Sequence, residues 1–417
     1  MRRSGGNARI LIYSHDTFGL GHLRRCRTIA HSLVAHRRDI SVLILSGSPI
    51  IGSFDFRSRV DFVRIPGVVK LKNGEYTTQS LDIAFEDAIN MRSSIIRHTA
   101  EAFDPDIFLV DKEPLGLRGE VRATLEWCRE NGTRTVLGLR DVMDDPEALA
   151  EEWGRKQALP ALQSLYDDIW VYGLADICQP LAGVVPPGLI DTKTTYTGYL
   201  RRHWDGQPHA AMPTAEPTLE PGEADPYILV TPGGGGDGAG MVDWVLRAYE
   251  RHPDLNPRAV MVLGPFMHKS LRAEFQQRAD RLDQVQVITF DAHIESLMAQ
   301  AVGVVAMGGY NTFCEILSFD KPSLIVPRTV PRLEQYIRAS RAEELGLCSM
   351  LVEDTDHNPS VMAEAIAALP ARHRPSEVHV PGLLDGLSTI NRAVDHWLTP
   401  AVQPVLPAQT GLRQQPN

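Results

Sequence analysis

The feature that most constrains the fold is a regular alternation of short apolar segments with stretches of helical length. In the first half, apolar segments such as Ile10–Ser14, Ile40–Leu45 and Ile107–Val110 alternate with helical stretches such as Leu23–Ala35. The alternation begins again at Tyr227–Thr231 and continues toward the C-terminus. Strands that are apolar throughout are typical of parallel sheets covered by helices on both faces. We therefore predict an α/β fold with two Rossmann-like parallel-sheet domains that face each other across a cleft.

A segment without apolar periodicity separates the two halves. Residues 205–225 are rich in Pro, Ala and Glu, which is typical of a linker or mobile insert. We predict a first domain over 1–204, a linker over 205–225 and a second domain over 226–383. A C-terminal helix over 384–399 and a disordered tail over 400–417 follow in this prediction.

Composition excludes several classes of protein. The net charge of −10 argues against a general nucleic-acid binder, and no apolar run reaches the roughly 18 residues of a membrane span. The N-terminal apolar run is too short for a signal sequence, so we expect a cytosolic protein, with contact at the inner face of the membrane left open. Five cysteines without a C-x-x-C pair make a disulfide framework or zinc site unexpected. We interpret Arg24, Arg25 and Arg27 as a solvated helix face rather than a basic binding patch.

The segment from Val304 to Glu315 points to a ligand. It contains an apolar strand, a Gly-Gly turn and a helix opened by Asn311 and Thr312. The free amides and positive dipole end of such a helix hold an anion, and Gly309 lets a ligand approach closely. Glu315, one turn into the helix, can accept hydrogen bonds from ribose hydroxyls. Phosphate joined to ribose is the chemistry of a nucleotide sugar.

A histidine stands at the corresponding place in the first half. His22 follows the first strand and a Gly-Leu-Gly turn that ends at Gly21, so we place it at the carboxyl edge of the sheet. A histidine with a pKa near 6.5 is suited to take a proton from an attacking hydroxyl. We favour this role over simple helix capping.

Further loops at strand ends complete the candidate cleft. The run that includes Gly233, Gly234 and Gly235 satisfies G-x-G-x-x-G, but the next strand lacks the terminal acid of a dinucleotide site. We interpret it as a loop whose amides approach a diphosphate. Between Phe290 and Ile294, a pocket edge for a pyrimidine base and an ordinary strand–helix loop are equally compatible with the spacing.

Two acidic loops end strands of the first domain. Glu113 and Asp141 are placed to reach the cleft and orient an acceptor. The adjacent Asp144 and Asp145 precede Pro146, which is typical of a helix N-cap rather than a metal site. We predict no metal and no cofactor.

In order and spacing, these segments resemble the MurG-type glycosyltransferases, glycosyltransferase family 28, which have the GT-B fold. The resemblance runs from about Arg9 to Leu347 and includes the Gly21-His22 turn, the glycine loop and the Gly309–Glu315 segment. It implies His22 as the catalytic base, Glu315 as the ribose acceptor, and uracil held by the backbone near Phe290 and Ile294. It also implies donor-sugar contacts from Glu334 and Gln335. The stretch ending at Arg201 lies near the domain joint and is assigned to the donor site.

The chain departs from the peptidoglycan enzymes of this family at the acceptor side. The first turn is Gly-Leu-Gly-His rather than a longer glycine run, and Tyr199-Leu200 stands where Asn-Pro is usual. We therefore expect an inverting, metal-independent transferase that uses a UDP-sugar donor and an unidentified hydroxyl acceptor: a glycan, a lipid-linked acceptor or a small molecule. The Gly21–Ala30 stretch is also similar to UDP-sugar hydrolases of the pseudaminic-acid pathway. A hydrolase and a non-catalytic nucleotide-sugar-binding subunit are the alternatives.

Overall fold

A computed structural model describes residues 7–15, 21–70, 75–203, 226–234, 236–289, 291, 294–352 and 357–399 of the chain. The linker predicted over 205–225 and the tail predicted over 400–417 lie outside the described residues, as do two predicted site residues, Gly235 and Phe290.

The first domain contains a parallel sheet of seven described strands in the order β3-β2-β1-β6-β7-β8-β9. A short antiparallel pair, β4 and β5, lies outside that sheet. The strands are β1 (Ala8–Ser14), β2 (Ile40–Ser46), β3 (Val60–Arg64), β4 (Val68–Lys70), β5 (Tyr76–Thr78), β6 (Ile107–Asp111), β7 (Arg134–Arg140), β8 (Asp168–Tyr172) and β9 (Thr194–Tyr196). The helices are α1 (Gly21–His36), α2 (Phe85–Phe103), α3 (Arg122–Glu130), α4 (Pro146–Arg155) and α5 (Ala158–Ser164).

The second domain repeats the plan with six described strands in the order β12-β11-β10-β13-β14-β15. Its strands are β10 (Tyr227–Thr231), β11 (Arg258–Val262), β12 (Val285–Ile288), β13 (Gly303–Ala306), β14 (Ser323–Ile325) and β15 (Ser349–Met350). Its helices are α6 (Ala239–Arg251), α7 (Lys269–Ala279), α8 (Ile294–Gln300), α9 (Tyr310–Ser318), α10 (Glu334–Glu344) and α11 (Pro359–Ala368), and α12 (Gly386–Leu398) follows.

Each central strand is buried on both faces. In β1, Ile10 and Ile12 belong to one apolar cluster while Leu11 and Tyr13 belong to the cluster on the opposite face. A fully buried aliphatic or aromatic side chain contributes roughly 1.5–3 kcal/mol to folding, so a strand with apolar side chains on both faces is stable only between two helical layers. This is the physical reason for the uninterrupted apolar segments, and the predicted α/β architecture is confirmed.

The strand order places the candidate site. β1 lies between β2 and β6, and β10 lies between β11 and β13. On one side of β1 and of β10 the strand order runs in one direction along the sheet, and on the other side it runs in the opposite direction. At such a switch point the loops after two neighbouring strands diverge and leave a crevice. His22 follows β1, and the Gly233 loop follows β10, so the two crevices carry the predicted motifs.

The domains are joined by direct contacts and by the last helix. α12 packs against α1 of the first domain. Trp397 of α12 stacks on Trp170 of β8 with ring centroids 5.6 Å apart and planes at 5°. The C-terminal helix therefore returns to the first domain.

Several elements differ from the sequence-based expectation. The sequence pattern predicts one helical stretch over about 147–165, but the structure has two helices there, because Gln157 between them has a left-handed backbone with φ 52°. The β4–β5 pair, β9, β15 and α11 were not predicted from the sequence. Their strands are only two or three residues long, which gives too short a pattern for a period to be read. Among the described residues, no helix has both the length and the apolar character needed to cross a bilayer.

Candidate active site

The centre of the first-domain crevice is a histidine that is hydrogen-bonded to a buried carboxylate. His22, in the first turn of α1, has its Nδ1 2.5 Å from Asp111 Oδ2 at the end of β6. Arg25, one turn further along α1, donates to both carboxylate oxygens of Asp111 at 2.8 Å and 2.7 Å. Because β1 and β6 are neighbouring parallel strands, the helix after one and the last residue of the other meet at the same sheet edge.

The charges of this group are fixed by burial and by Arg25. Burial, with a contribution from Arg25, lowers the pKa of His22 to about 4 even though Asp111 favours the charged ring. Burial alone would raise the pKa of Asp111, but Arg25 and His22 outweigh it and lower that pKa to about 2. Near neutral pH the carboxylate is ionised and the imidazole is neutral. Nδ1 then carries the hydrogen that Asp111 accepts, so Nε2 carries the lone pair that can take a proton.

Glu113, predicted as a catalytic residue, lies in the loop that follows Asp111, and its negative charge is balanced by two lysines. Its carboxylate accepts from Lys156 Nζ at 2.8 Å, and Lys112 Nζ is 3.7 Å away. Burial alone would raise the pKa of Glu113, but Lys112 and Lys156 outweigh it and lower that pKa. Lys112 itself has φ 71°, a left-handed conformation that is strained for a side chain of this size. Glu113 is therefore a buried anion paired with two lysines.

Asp141, the third residue predicted to be catalytic, is fully buried between the domains. It accepts a bidentate pair from Arg338 of α10, at 2.7 Å and 2.6 Å, and a hydrogen bond from Tyr199 Oη at 2.7 Å. Arg338 is 1% exposed and also donates to the Gly308 carbonyl. The Asp141–Arg338 pair joins the first domain to the second, and Tyr199 adds a contact near the joint. Asp141 is thus placed to fasten the cleft, while a catalytic role for it stays a prediction.

Two glycine turns form the second-domain crevice. Gly264 has φ 89°, and a Cβ there would lie 2.6 Å from the Gly233 carbonyl, so the β11 loop packs directly on the glycine loop after β10. Gly234 is exposed, and Phe266 donates its N–H to the Gly234 carbonyl at 3.0 Å. Thr312 Oγ1 lies 3.6 Å from where a Cβ on Gly233 would stand. The glycine loop therefore adjoins the start of α9.

The start of α9 is also a domain contact. Gly309 is the residue before the helix, and the first N–H groups of a helix have no intrahelical partner. Asn311 donates from Nδ2 to the carbonyl of Gly21 at 3.0 Å and accepts from Arg202 Nη2 at 2.7 Å. The Asn311 side chain is therefore occupied by hydrogen bonds to Gly21 and Arg202. Only the backbone amide of Asn311 is left to bind an anion. Arg201, the predicted donor-site residue, is exposed, whereas Arg202 is buried in this contact.

Glu315, the predicted ribose acceptor, is buried and paired with the opposite domain. It is 1% exposed, and its Oε1 lies 2.6 Å from Arg24 Nη2 of α1. The same guanidinium donates to Glu295 Oε1 at 2.7 Å, at the start of α8. Ile294, predicted to contact the base, is the first residue of α8 and packs on the apolar cluster beneath it.

Glu334 and Gln335 open α10 and are both buried. Glu334 accepts from Arg140 Nη2 at 2.8 Å and from Arg328 Nη2 at 2.9 Å. Burial alone would raise the pKa of Glu334, but Arg140, Arg338 and Arg328 outweigh it and lower that pKa to about 2. Gln335 accepts from the Arg328 backbone N–H at 3.1 Å. The pair is therefore held rigidly at the cleft.

Sequence reasoning missed some of these partners and placed others correctly. The interpretation of Arg24 and Arg25 as a solvated helix face is wrong, because Arg25 is 2% exposed on Asp111 and Arg24 crosses the cleft. The pairing of Asp111 with His22 was available in principle, since parallel neighbouring strands bring their carboxyl ends together. The N-cap interpretation of Asp145 is confirmed, because its side chain accepts from the N–H groups of Glu147 and Ala148.

Part of the second domain matches a known protein family. Residues 229–375 match the family model of the glycosyltransferase family 28 C-terminal domain. The UDP-N-acetylglucosamine–N-acetylmuramyl-(pentapeptide) pyrophosphoryl-undecaprenol N-acetylglucosamine transferase of Alkaliphilus metalliredigens is 20% identical over 129 residues, 31% of this chain. The aligned part is 35% of that relative, so the chain matches about a third of its length.

Solved structures match over nearly the whole chain. CalG4, the calicheamicin glycosyltransferase, has a TM-score of 0.58 at 17% identity, covering 95% of this chain and 100% of the other. A UDP-N-acetylglucosamine 2-epimerase also has a TM-score of 0.58, at 13% identity, covering 94% and 95%. At these identities the likeness establishes the fold, which is GT-B. The second domain matches the model of the glycosyltransferase family 28 C-terminal domain over residues 229–375, and the resemblance of this chain to the MurG-type proteins is confirmed.

Proposed function

We propose that this protein transfers a sugar from a UDP-sugar to a hydroxyl acceptor with inversion at the anomeric carbon. The observation that carries the proposal is the His22–Asp111 pair, 2.5 Å apart at the first-domain switch point, in a chain whose second domain is of family 28. A neutral histidine with an oriented ring is a suitable base for a hydroxyl nucleophile. The GT-B fold alone does not choose a reaction, since an epimerase shares it.

In the proposed step, His22 Nε2 removes the proton of the acceptor hydroxyl. The acceptor oxygen forms its bond to the anomeric carbon on the face opposite the diphosphate, and the bond from that carbon to the diphosphate oxygen breaks. Asp111 stabilises the imidazolium that forms, and UDP leaves with the electron pair. Attack from the opposite face inverts the configuration.

The second domain would supply the donor contacts. The N-terminal amides of α9 and the Gly233–Gly234 amides are suited to the charge of the departing diphosphate. Glu315 would take the ribose hydroxyls, and Glu334 with Gln335 would contact the sugar. The proposal assigns charge stabilisation to these dipoles and neighbouring arginines rather than to a metal.

For the acceptor, we propose a lipid-linked molecule. Leu81, Ile83 and Met91 are 43%, 37% and 43% exposed in and just before the first turns of α2 in the first domain. The Alkaliphilus relative is named for an undecaprenol-linked acceptor. Sedimentation with phospholipid vesicles tests this: the wild type should bind, and a Leu81→Ser/Ile83→Ser variant should bind less. Equal sedimentation of the two proteins would contradict a role for this surface.

The function as a whole is tested with purified protein and a panel of UDP-sugars, with binding and UDP release scored separately. A transferase binds one donor and releases UDP only when an acceptor is added. Release of UDP and free sugar from the donor alone would identify the hydrolase alternative. Donor binding without release under any acceptor would identify a binding subunit, and absence of UDP binding would contradict all three.

A further inference from the structure

One side chain of the first domain covers the carboxylate assigned to the ribose. Arg24 lies in the first turn of α1, and its guanidinium reaches both Glu295 at 2.7 Å and Glu315 at 2.6 Å. Glu315 is 1% exposed, whereas Arg24 and Glu295 are each 24% exposed. Arg24 is therefore the outer member of the cluster and Glu315 the inner one.

This arrangement makes Arg24 and a ribose alternatives. A buried carboxylate is stable only with a cation or with hydrogen-bond donors against it. A ribose brings two hydroxyl donors, but Glu315 is reached only when Arg24 has moved aside. A nucleoside that binds here must therefore break the Arg24–Glu315 ion pair.

The place proposed for the diphosphate lies close to Arg24. Arg24 follows Gly21 by three residues, about 4.5 Å along the helix axis at about 1.5 Å per residue. The Gly21 carbonyl in turn accepts from Asn311 at the start of α9, where the diphosphate is expected. An arginine is long enough to span such a distance by changing rotamers, and its guanidinium pairs with phosphate oxygens as readily as with carboxylates.

We propose that Arg24 is a donor-binding residue. When the ribose hydroxyls bind Glu315, the Arg24 guanidinium leaves Glu315 and binds the diphosphate instead. The inference rests on the proposed function, in which the donor is a UDP-sugar. It adds a specificity rule: ribose and diphosphate are recognised together. A nucleoside without phosphates breaks the Arg24–Glu315 ion pair and supplies no anion in place of Glu315. A nucleoside diphosphate breaks the same ion pair but supplies phosphate oxygens that the guanidinium can bind.

The test is isothermal titration of uridine and of UDP into four proteins: the wild type, Arg24→Gln, Arg24→Lys and Arg27→Gln. Arg27 is the matched control, because it lies on the same helix but donates to the Asp55 carbonyl of its own domain. In Arg24→Gln we expect uridine to bind more tightly and UDP more weakly, so that the UDP-over-uridine preference falls by about tenfold or more, the scale of one charge-assisted phosphate contact. Arg24→Lys keeps the charge and should retain most of the preference, and Arg27→Gln should retain all of it.

Two outcomes would overturn the inference in a protein that binds UDP. Equal weakening of uridine and UDP in Arg24→Gln would mean that Arg24 only holds the domains together. Affinities for both ligands equal to those of the wild type would mean that it does not contact the diphosphate. Absence of UDP binding by the wild type is the distinct failure of the proposed function, and it removes this inference as well. Circular dichroism and thermal unfolding of each variant, together with the charge-conserving Arg24→Lys, separate binding effects from misfolding.

Discussion

The two edges of the cleft are built from the same α/β plan but present different chemistry. The first-domain edge offers one side chain with a proton-accepting nitrogen, His22, fixed by an ionised Asp111. The second-domain edge offers backbone amides at two glycine turns, and its carboxylates are already paired with arginines, two of which belong to the first domain. In the proposed reaction the first edge performs the proton transfer and the second binds the donor, and the ion pairs of the second edge also join the domains.

The largest expected effect belongs to the first-domain edge. Replacing His22 by Ala should lower kcat by about 10²–10⁴-fold, the scale of acid–base catalysis, because the base is lost. UDP affinity should change little, since His22 is not among the proposed donor contacts. Steady-state kinetics and titration with UDP measure the two effects. His31→Ala is the control on the same helix, and an unchanged kcat in His22→Ala would remove His22 as the base.

The second prediction concerns the fastening of the domains. Arg338→Met should lower the free energy of unfolding by about 3–5 kcal/mol, because Asp141 is left buried without its cation. Chemical denaturation measures this change. Arg341→Met, on the same helix but with its guanidinium partly exposed, should change the free energy far less. Equal losses in the two variants would show that the buried pair is not what holds the cleft.

The third prediction concerns the donor edge alone. Glu315→Gln should weaken UDP binding by about tenfold, because an amide accepts hydrogen bonds from the ribose less strongly than a carboxylate does. The kcat at saturating donor should stay close to that of the wild type. Glu344→Gln on α10, an exposed acid, is the control for the lost charge. Normal UDP affinity in Glu315→Gln would sink the ribose assignment.

The smallest expected effect is a flat pH profile. Burial lowers the pKa of His22 to about 4, so the base is already deprotonated at neutral pH and stays so under mild acidification. We expect kcat/KM to change by less than about twofold between pH 8 and pH 6, and to fall as the pH approaches 4 and the ring is protonated. Asp111, with a pKa of about 2, remains ionised over this range. A loss of activity centred near pH 6.5 would show instead a solvated histidine.

The sequence predicted the architecture well because its strongest signal is local. A strand such as Ile228–Val230 must be apolar on both faces to lie inside a parallel sheet, and a helix start such as Asp145-Pro146 is determined by its own residues. Motifs at strand ends could likewise be assigned to the correct edge, as with His22 and Gly309. Elements of two or three residues, such as β15, have too few positions to show a period and were missed.

The partners of the site residues could not be predicted in the same way. Neighbouring arginines such as Arg24 and Arg25 have similar local sequence surroundings, yet one crosses the cleft and the other binds Asp111. Arg201 and Arg202 are adjacent in the sequence, yet Arg201 is exposed and Arg202 is buried. Which partner each arginine binds depends on charged residues of another strand or another domain. These pairs form because burying a charge without a partner costs several kcal/mol.

The sequence by itself therefore determined two parallel-sheet domains, the sheet edges at which ligands are expected and the residue types gathered there. Hydrophobic burial and backbone turns depend on residues close together in the sequence, so strands, helices and turns can be predicted from the sequence. Only the tertiary structure decided that Asp111 orients His22, that Asp141 fastens Arg338 and that Arg24 covers Glu315. These pairs join residues 89 to nearly 300 positions apart, and each forms because a buried charge is stable only beside a counter-charge or a hydrogen-bond donor.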